Sequence, residues 1–201
     1  TLFRSGSGKS TLLSLVGGFL APDRGRIRLG GQDITALPPG RRPVSMLFQD
    51  QNLFPHLTVA QNVGLGLRPD LRLSDPQRAR VTQVLAEVGL DGIESRRPAN
   101  LSGGQQSRVA LARVLLRARP VLLLDEPFAA LGPALKGDML ALLARIADQT
   151  DATVLMVTHD PDDARSFAPR TILVDGGMAH PPVPTGPLLD NPPPGLRAYL
   201  G

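Results

Sequence analysis

Residues 120–127 read PVLLLDEP, four apolar residues without a break followed by the acids Asp125 and Glu126. A strand with one wet face alternates apolar and polar side chains. An unbroken run means that both faces are covered, the mark of a central strand in a parallel sheet flanked by helices. ATVLMVTHD (152–160) repeats the pattern, and RTILVDGGM (170–178) is expected as a third such strand ending in a tight turn. A shorter strand, Val44 to Phe48, ends at Gln49.

Helical stretches lie between these runs. KSTLLSLVGGFL (9–20) is expected as a helix that starts in a glycine loop and is closed by Pro22 and Gly25. GRIRLGGQDI (25–34) alternates like an exposed strand and turn. Helical periodicity runs from Leu57 to Gly89 with interruptions at Pro69 and Pro76. A further helix follows Ser102, with Val109, Ala112, Leu115 and Leu116 on its apolar face, and another spans about 134–148. The segment from residue 181 to 201 is rich in proline and is expected to end in a short helix near Leu196 to Leu200. Strands alternating with helices make an α/β fold, whose ligands sit at the carboxyl ends of the strands. Gln49, Asp125, Glu126 and His159 all fall at such ends.

Composition narrows the function. With 201 residues the chain suits one domain with room for a subdomain, and no apolar stretch approaches membrane-spanning length, so a soluble or peripheral rather than a spanning protein is expected. The chain has no cysteine, which excludes disulfides and thiolate metal sites. Aromatics are only 3% and the net charge is +4, with basic and acidic residues interspersed, so a nucleic-acid partner is not expected. Arginines between Arg96 and Arg119 read as a solvated helix face.

SGSGKST (5–11) leads into the first helix. Glycine permits backbone N–H groups to approach a phosphate closely, and the helix N-terminus adds positive potential. On this reading Ser5, Gly6, Ser7, Gly8, Lys9, Ser10 and Thr11 cradle the phosphates of ATP, with the Lys9 ammonium on the β- and γ-phosphates and the Ser10 hydroxyl on Mg²⁺. Asp125, at the end of a buried strand, supports the same ion. Glu126 is the candidate base for the attacking water. His159 and Gln49 add a γ-phosphate donor and a water or Mg²⁺ contact. Ser102, Gly103, Gly104 and Gln105 form a second anion-binding helix start, or an ordinary N-cap. One nucleotide does not need two such sites on one chain; two chains facing head to tail use both.

Taken together these residues resemble the ATPase subunit of an ATP-binding-cassette (ABC) transporter. SGSGKST is similar to the family's Walker A loop, Gln49 to its Q-loop, LSGGQ (101–105) to its signature, VLLLDE to Walker B and His159 to its switch histidine. Residues 41–67 are similar to the thiamine-importing branch, as are LDEPFAALGPAL (124–135) and the short C-terminus. The resemblance implies a RecA-like P-loop NTPase core over residues 1–49 and 106–180, an inserted helical subdomain over 50–105 and a C-terminal tail over 181–201. It also implies ATP and Mg²⁺ as ligands, a homodimer, membrane permease subunits and, indirectly, a periplasmic solute-binding protein as partners. The implied location is the cytoplasmic face of the bacterial inner membrane. A non-transport ABC ATPase and a catalytically silent interaction subunit remain as alternatives.

Three positions depart from the family's pattern. Phe3 and Arg4 stand where the Walker loop has Gly-Pro, the strands and adenine-stacking aromatic that precede the loop are missing, and Gly132 replaces the D-loop aspartate. TLFRS is also what the end of a common sequencing adapter encodes, so the natural sequence is expected to begin at Gly6, inside a gene.

Overall fold

The computed structural model describes residues 8–50 and 52–200. The first helix, α1 (Lys9–Gly17), is bracketed by two left-handed glycines, Gly8 at φ 96° and Gly18 at φ 84°. It stops three residues before the expected end at Leu20, because the Phe19 N–H turns back to the Ser14 carbonyl at 2.9 Å. The strands β1 (Arg28–Leu29) and β2 (Gln32–Asp33) form the exposed hairpin that the alternation predicts. The strand β3 (Val44–Leu47) follows.

Three helices come next: α2 (Val59–Gly64), α3 (Asp75–Glu87) and α4 (Gly103–Leu116). Pro76 lies in the first turn of α3, where its missing N–H costs nothing, so it opens a helix rather than interrupting one. The central strand β4 (Val121–Asp125) leads to α5 (Pro133–Thr150), β5 (Thr153–Val157) and α6 (Pro161–Phe167).

The main sheet is parallel with order β3-β4-β5. Its register pairs Leu47 with Leu124 and Asp125 with Val157, so the three strands end on one rim. Side chains of β4 alternate as a strand must: Leu122 and Leu124 pack with α4 and α5, whereas Leu123 packs with Leu13 of α1. Helix α4 is buried on two sides. Val109, Ala112 and Leu116 face the α2–α3 cluster, while Ala110, Leu111 and Val114 face the sheet. Its face is therefore wider than the single stripe that the sequence suggests.

RTILVDGGM does not form a third strand of the parallel sheet. It breaks into β6 (Arg170–Thr171) and β7 (Val174–Asp175), and Gly176 and Gly177, both at positive φ, reverse the chain into β8 (Met178–Ala179). The expected tight turn is there, since two successive positive-φ residues are what a two-residue hairpin demands. The run itself is interrupted earlier, at 172–173, and its two pieces pair antiparallel with later segments instead of joining the main sheet. The proline-rich segment folds back: β9 (Val183–Pro184) pairs antiparallel with β6, and α7 (Thr185–Asp190) and α8 (Pro194–Leu200) follow. Leu189 and Leu196 are buried against Ala164 of α6.

Candidate functional site

The rim of the main sheet gathers residues from four separate segments. Gly8 precedes α1 in the left-handed region, with no atom within 4 Å of where a Cβ would stand. Its carbonyl accepts the Leu12 N–H at 2.9 Å, which starts the helix and leaves Lys9 as its first residue. Lys9 is only 7% exposed. Burial pushes its ammonium pKa down, opposed by the negative charges of Glu126 and Asp125.

The Ser10 hydroxyl donates to Asp125 Oδ1 at 3.1 Å, across 115 residues of sequence. Burial pushes the Asp125 carboxyl above its ordinary value; the Ser10 hydrogen bond and Lys9 oppose the shift and Glu126 adds to it. Glu126 breaks out of β4 with φ 45°, a left-handed conformation that a non-glycine residue adopts at a cost on the order of 1 kcal/mol or more. The turn is held by the Glu126 N–H on the Val157 carbonyl at 3.0 Å and by the Ala129 N–H on the Glu126 carbonyl at 3.3 Å. It brings Glu126 Oε2 to 3.0 Å from Nδ1 of His159, two residues beyond the end of β5.

Gln49 is exposed, two residues past Leu47 at the end of β3, on the same rim. Thr11 is exposed on α1, and Ser5, Gly6 and Ser7 lie outside the described residues. Ser102, Gly103, Gly104 and Gln105 form a separate group at the start of α4. The Ser102 hydroxyl accepts the Gln105 N–H at 3.2 Å, and Gln105 Oε1 accepts the Ser102 N–H at 3.0 Å, a complete capping box. A Cβ on Gly104 would lie 2.3 Å from a Leu135 side-chain methyl, so a larger residue there would require the Leu135 side chain of α5 to move. Gly132, the N-cap of α5, has φ −65° and open space around its Cβ position, so nothing in the backbone requires a glycine there.

Sequence reading missed two groups, one at the opposite edge of the sheet from this rim and one beside it. Arg42, 2% exposed, donates to the carbonyls of Leu15 and Val16 at the end of α1 and to those of Thr35 and Leu37. Nothing in its local sequence separates it from its exposed neighbour Arg41. Lys136 on α5 contacts Asp160 and Asp163, which flank the His159 turn. Only the side-by-side acids after His159 hinted at a charge partner.

Residues 4–129 match the ABC transporter family. The chain belongs to the ABC transporter family. Over 98% of its length it is 64% identical to the thiamine import ATP-binding protein ThiQ of Cereibacter sphaeroides, covering 85% of that relative. It is 59% identical to ThiQ of Ruegeria sp. strain TM1040, again over 98% of this chain and 85% of the relative. ThiQ of Yersinia pseudotuberculosis is 54% identical, with 93% of this chain and 79% of the relative covered. Among solved structures, the ATP-binding cassette MJ0796, a dimer bound to ADP and Pi in a post-hydrolysis state, superposes with a TM-score of 0.78. It is 32% identical, and the match covers 90% of this chain and 82% of MJ0796. The α/β fold expected from the strand pattern, and the P-loop NTPase core that the resemblance implies, are therefore the fold of this ABC ATPase.

Proposed function

We propose that this chain is the ATP-hydrolysing subunit of a membrane importer and that the imported solute is thiamine. The observation that carries the ATPase reading is the meeting of the Ser10–Asp125 and Glu126–His159 pairs beside buried Lys9 on one sheet rim. In this reading Lys9 and the backbone N–H groups of residues 5–11 bind the phosphates of ATP. Glu126 takes the proton of the attacking water, and His159 orients Glu126 and donates toward the γ-phosphate.

The residues suit a magnesium ion. Ser10 Oγ and Asp125 Oδ1 are hard oxygens 3.1 Å apart, and Mg²⁺ characteristically takes one or two protein oxygens and completes its shell with phosphates and waters. Ser10 and Asp125 would hold it, with Gln49 approaching from β3. When bound, the ion offsets charge that builds on the transferring phosphoryl group.

Ser102, Gly103, Gly104 and Gln105 would face the ATP of a second copy, which makes the working unit a homodimer. Support comes from the dimeric state of MJ0796. Permease subunits in the membrane and a periplasmic thiamine-binding protein complete the proposed assembly, with this chain peripheral on the cytoplasmic face. No helix among the described residues is long and apolar enough to cross a membrane. The thiamine reading is supported by the relatives' names at 54–64% identity.

The test is transport. Expressed in a bacterium deleted for its own thiamine-importer ATPase but keeping that importer's permease and binding protein, the chain should restore uptake of labelled thiamine. Uptake of a different solute with no thiamine uptake overturns the substrate, and absence of Mg²⁺-dependent ATP turnover in the purified assembly overturns the ATPase reading.

A further inference from the structure

Between α5 and the end of β5 lies a charge cluster that the hydrolytic site does not itself contain. Lys136 Nζ contacts Asp160 Oδ2 and lies 2.8 Å from Asp163 Oδ1. These are shielded groups: the Lys136 and Asp163 side chains are 19% and 12% exposed. The Thr158 hydroxyl, in a buried residue, donates to Asp163 Oδ2 at 2.6 Å and accepts the Asp160 N–H at 3.0 Å. Asp160 Oδ1 in turn accepts the Asp162 N–H at 2.9 Å and so starts α6.

His159 sits in the middle of this knot. The residue before it is tied to Asp163 and the residue after it to Lys136, while its own side chain is 54% exposed. Backbone on either side of the ring is thus held by groups that all converge on one ammonium. Burial works against the Lys136 charge, yet its hydrogen bonds to Asp160 and Asp163 hold it above the ordinary lysine value. The same contact holds the Asp160 carboxyl below its ordinary value. Without the cation, Asp160 and Asp163 are two partly buried like charges on one short turn, and they repel.

We propose that Lys136 is a positioning residue that holds His159 in place against Glu126. It acts through Asp160, Asp163 and Thr158 and touches no reacting atom. Lys136 also lies four residues after Gly132, its N–H on the Gly132 carbonyl at 2.9 Å. The cation therefore links the start of α5 to the His159 turn. The inference rests on the reading of Glu126 and His159 as the hydrolytic pair, and its test has an arm that does not depend on turnover.

The chain holds three histidines, His56, His159 and His180, so the ring resonances of histidine-labelled protein are few enough to assign by substitution. In folded Lys136→Met the His159 ring resonance should shift while those of His56 and His180 stay, and Lys136→Arg should keep the parental position. For turnover, Lys136→Met should lower kcat about tenfold, a fraction of the roughly 10²–10⁴-fold worth of acid–base groups, with KM for ATP changed less than about twofold. Lys136→Arg should recover most of the rate. In a His159→Ala background Lys136→Met should cost nothing further. If Lys136→Met does not fold, Asp160→Asn keeps an acceptor for the Asp162 N–H and removes the charge Lys136 holds; it should shift the same resonance. An unmoved His159 resonance in the folded variants, or an equal loss of kcat with and without His159, overturns the proposal. A parent assembly without ATP turnover overturns the hydrolytic reading instead and leaves the resonance to decide the role of Lys136.

Discussion

His159 Nδ1 lies 3.0 Å from Glu126 Oε2, although the two residues leave different strands of the sheet. Parallel pairing makes this possible: Asp125 and Val157 share the last rung, so the next residues of both strands emerge side by side. The positive φ of Glu126 then turns its carboxylate out of the strand direction and toward the ring.

Glu126→Gln removes the proton acceptor and keeps the shape. ATP binding should be unchanged and turnover should fall by at least about a hundredfold, the lower end of what general-base groups supply. Equilibrium binding and steady-state hydrolysis on the same preparation check it. Parental turnover in the variant would sink the assignment of Glu126 as base.

Asp125 carries a stability cost with a definite pH dependence. Its pKa is raised by burial, so the folded state holds the proton more tightly than the unfolded state does. The penalty is absent below the ordinary carboxylate value and grows as the pH rises through the elevated folded pKa. Asp125→Asn should therefore have a higher Tm than the parent at neutral pH. The gap should close as the pH falls toward the carboxylate range, while ATP turnover is lost at every pH. Thermal unfolding across pH decides it; a gap that widens on acidification has the wrong sign.

Ser102→Arg tests the composite site. It should leave ATP binding by a single chain intact and abolish turnover, with about 1 kcal/mol of stability lost with the N-cap. Mixed with Lys9→Ala, each heterodimer has one site carrying both defects and one carrying neither, so part of the activity should return. Weakened ATP binding by monomeric Ser102→Arg would place the signature in its own chain's site.

Arg42→Met should destabilise the chain by about 3 kcal/mol. It strips a buried guanidinium from four carbonyl partners, and an unmade hydrogen bond to a charged group costs on the order of 1.5–3 kcal/mol. Gly18→Ala should also destabilise, because its Cβ would lie 2.5 Å from Arg42 Nε at φ 84°. Chemical denaturation measures both. Parental stability in Arg42→Met would mean that water satisfies those carbonyls.

Much of the rim was readable from local patterns. The apolar run 121–124 identifies the buried strand, and the acids that end it identify the rim. Ser102 and Gln105 are a capping pair within one turn, so the start of α4 follows from spacing alone. RTILVDGGM was legible only in part: its two glycines reverse the chain as expected, but its apolar run does not tell that the pieces pair antiparallel outside the main sheet, because pairing is not a local property.

By itself the sequence determined the three strands 44–47, 121–125 and 153–157, the helices between them and the residue types at the strand ends, because periodicity and caps act over a few residues. Only the tertiary structure decided that Ser10 meets Asp125, that Glu126 meets His159, that Arg42 rather than Arg41 is buried, and that Lys136 ties the His159 turn. Those pairings depend on strand order and register. A slip of one residue along β4 would turn its side chains to the opposite face, and no local pattern carries that information.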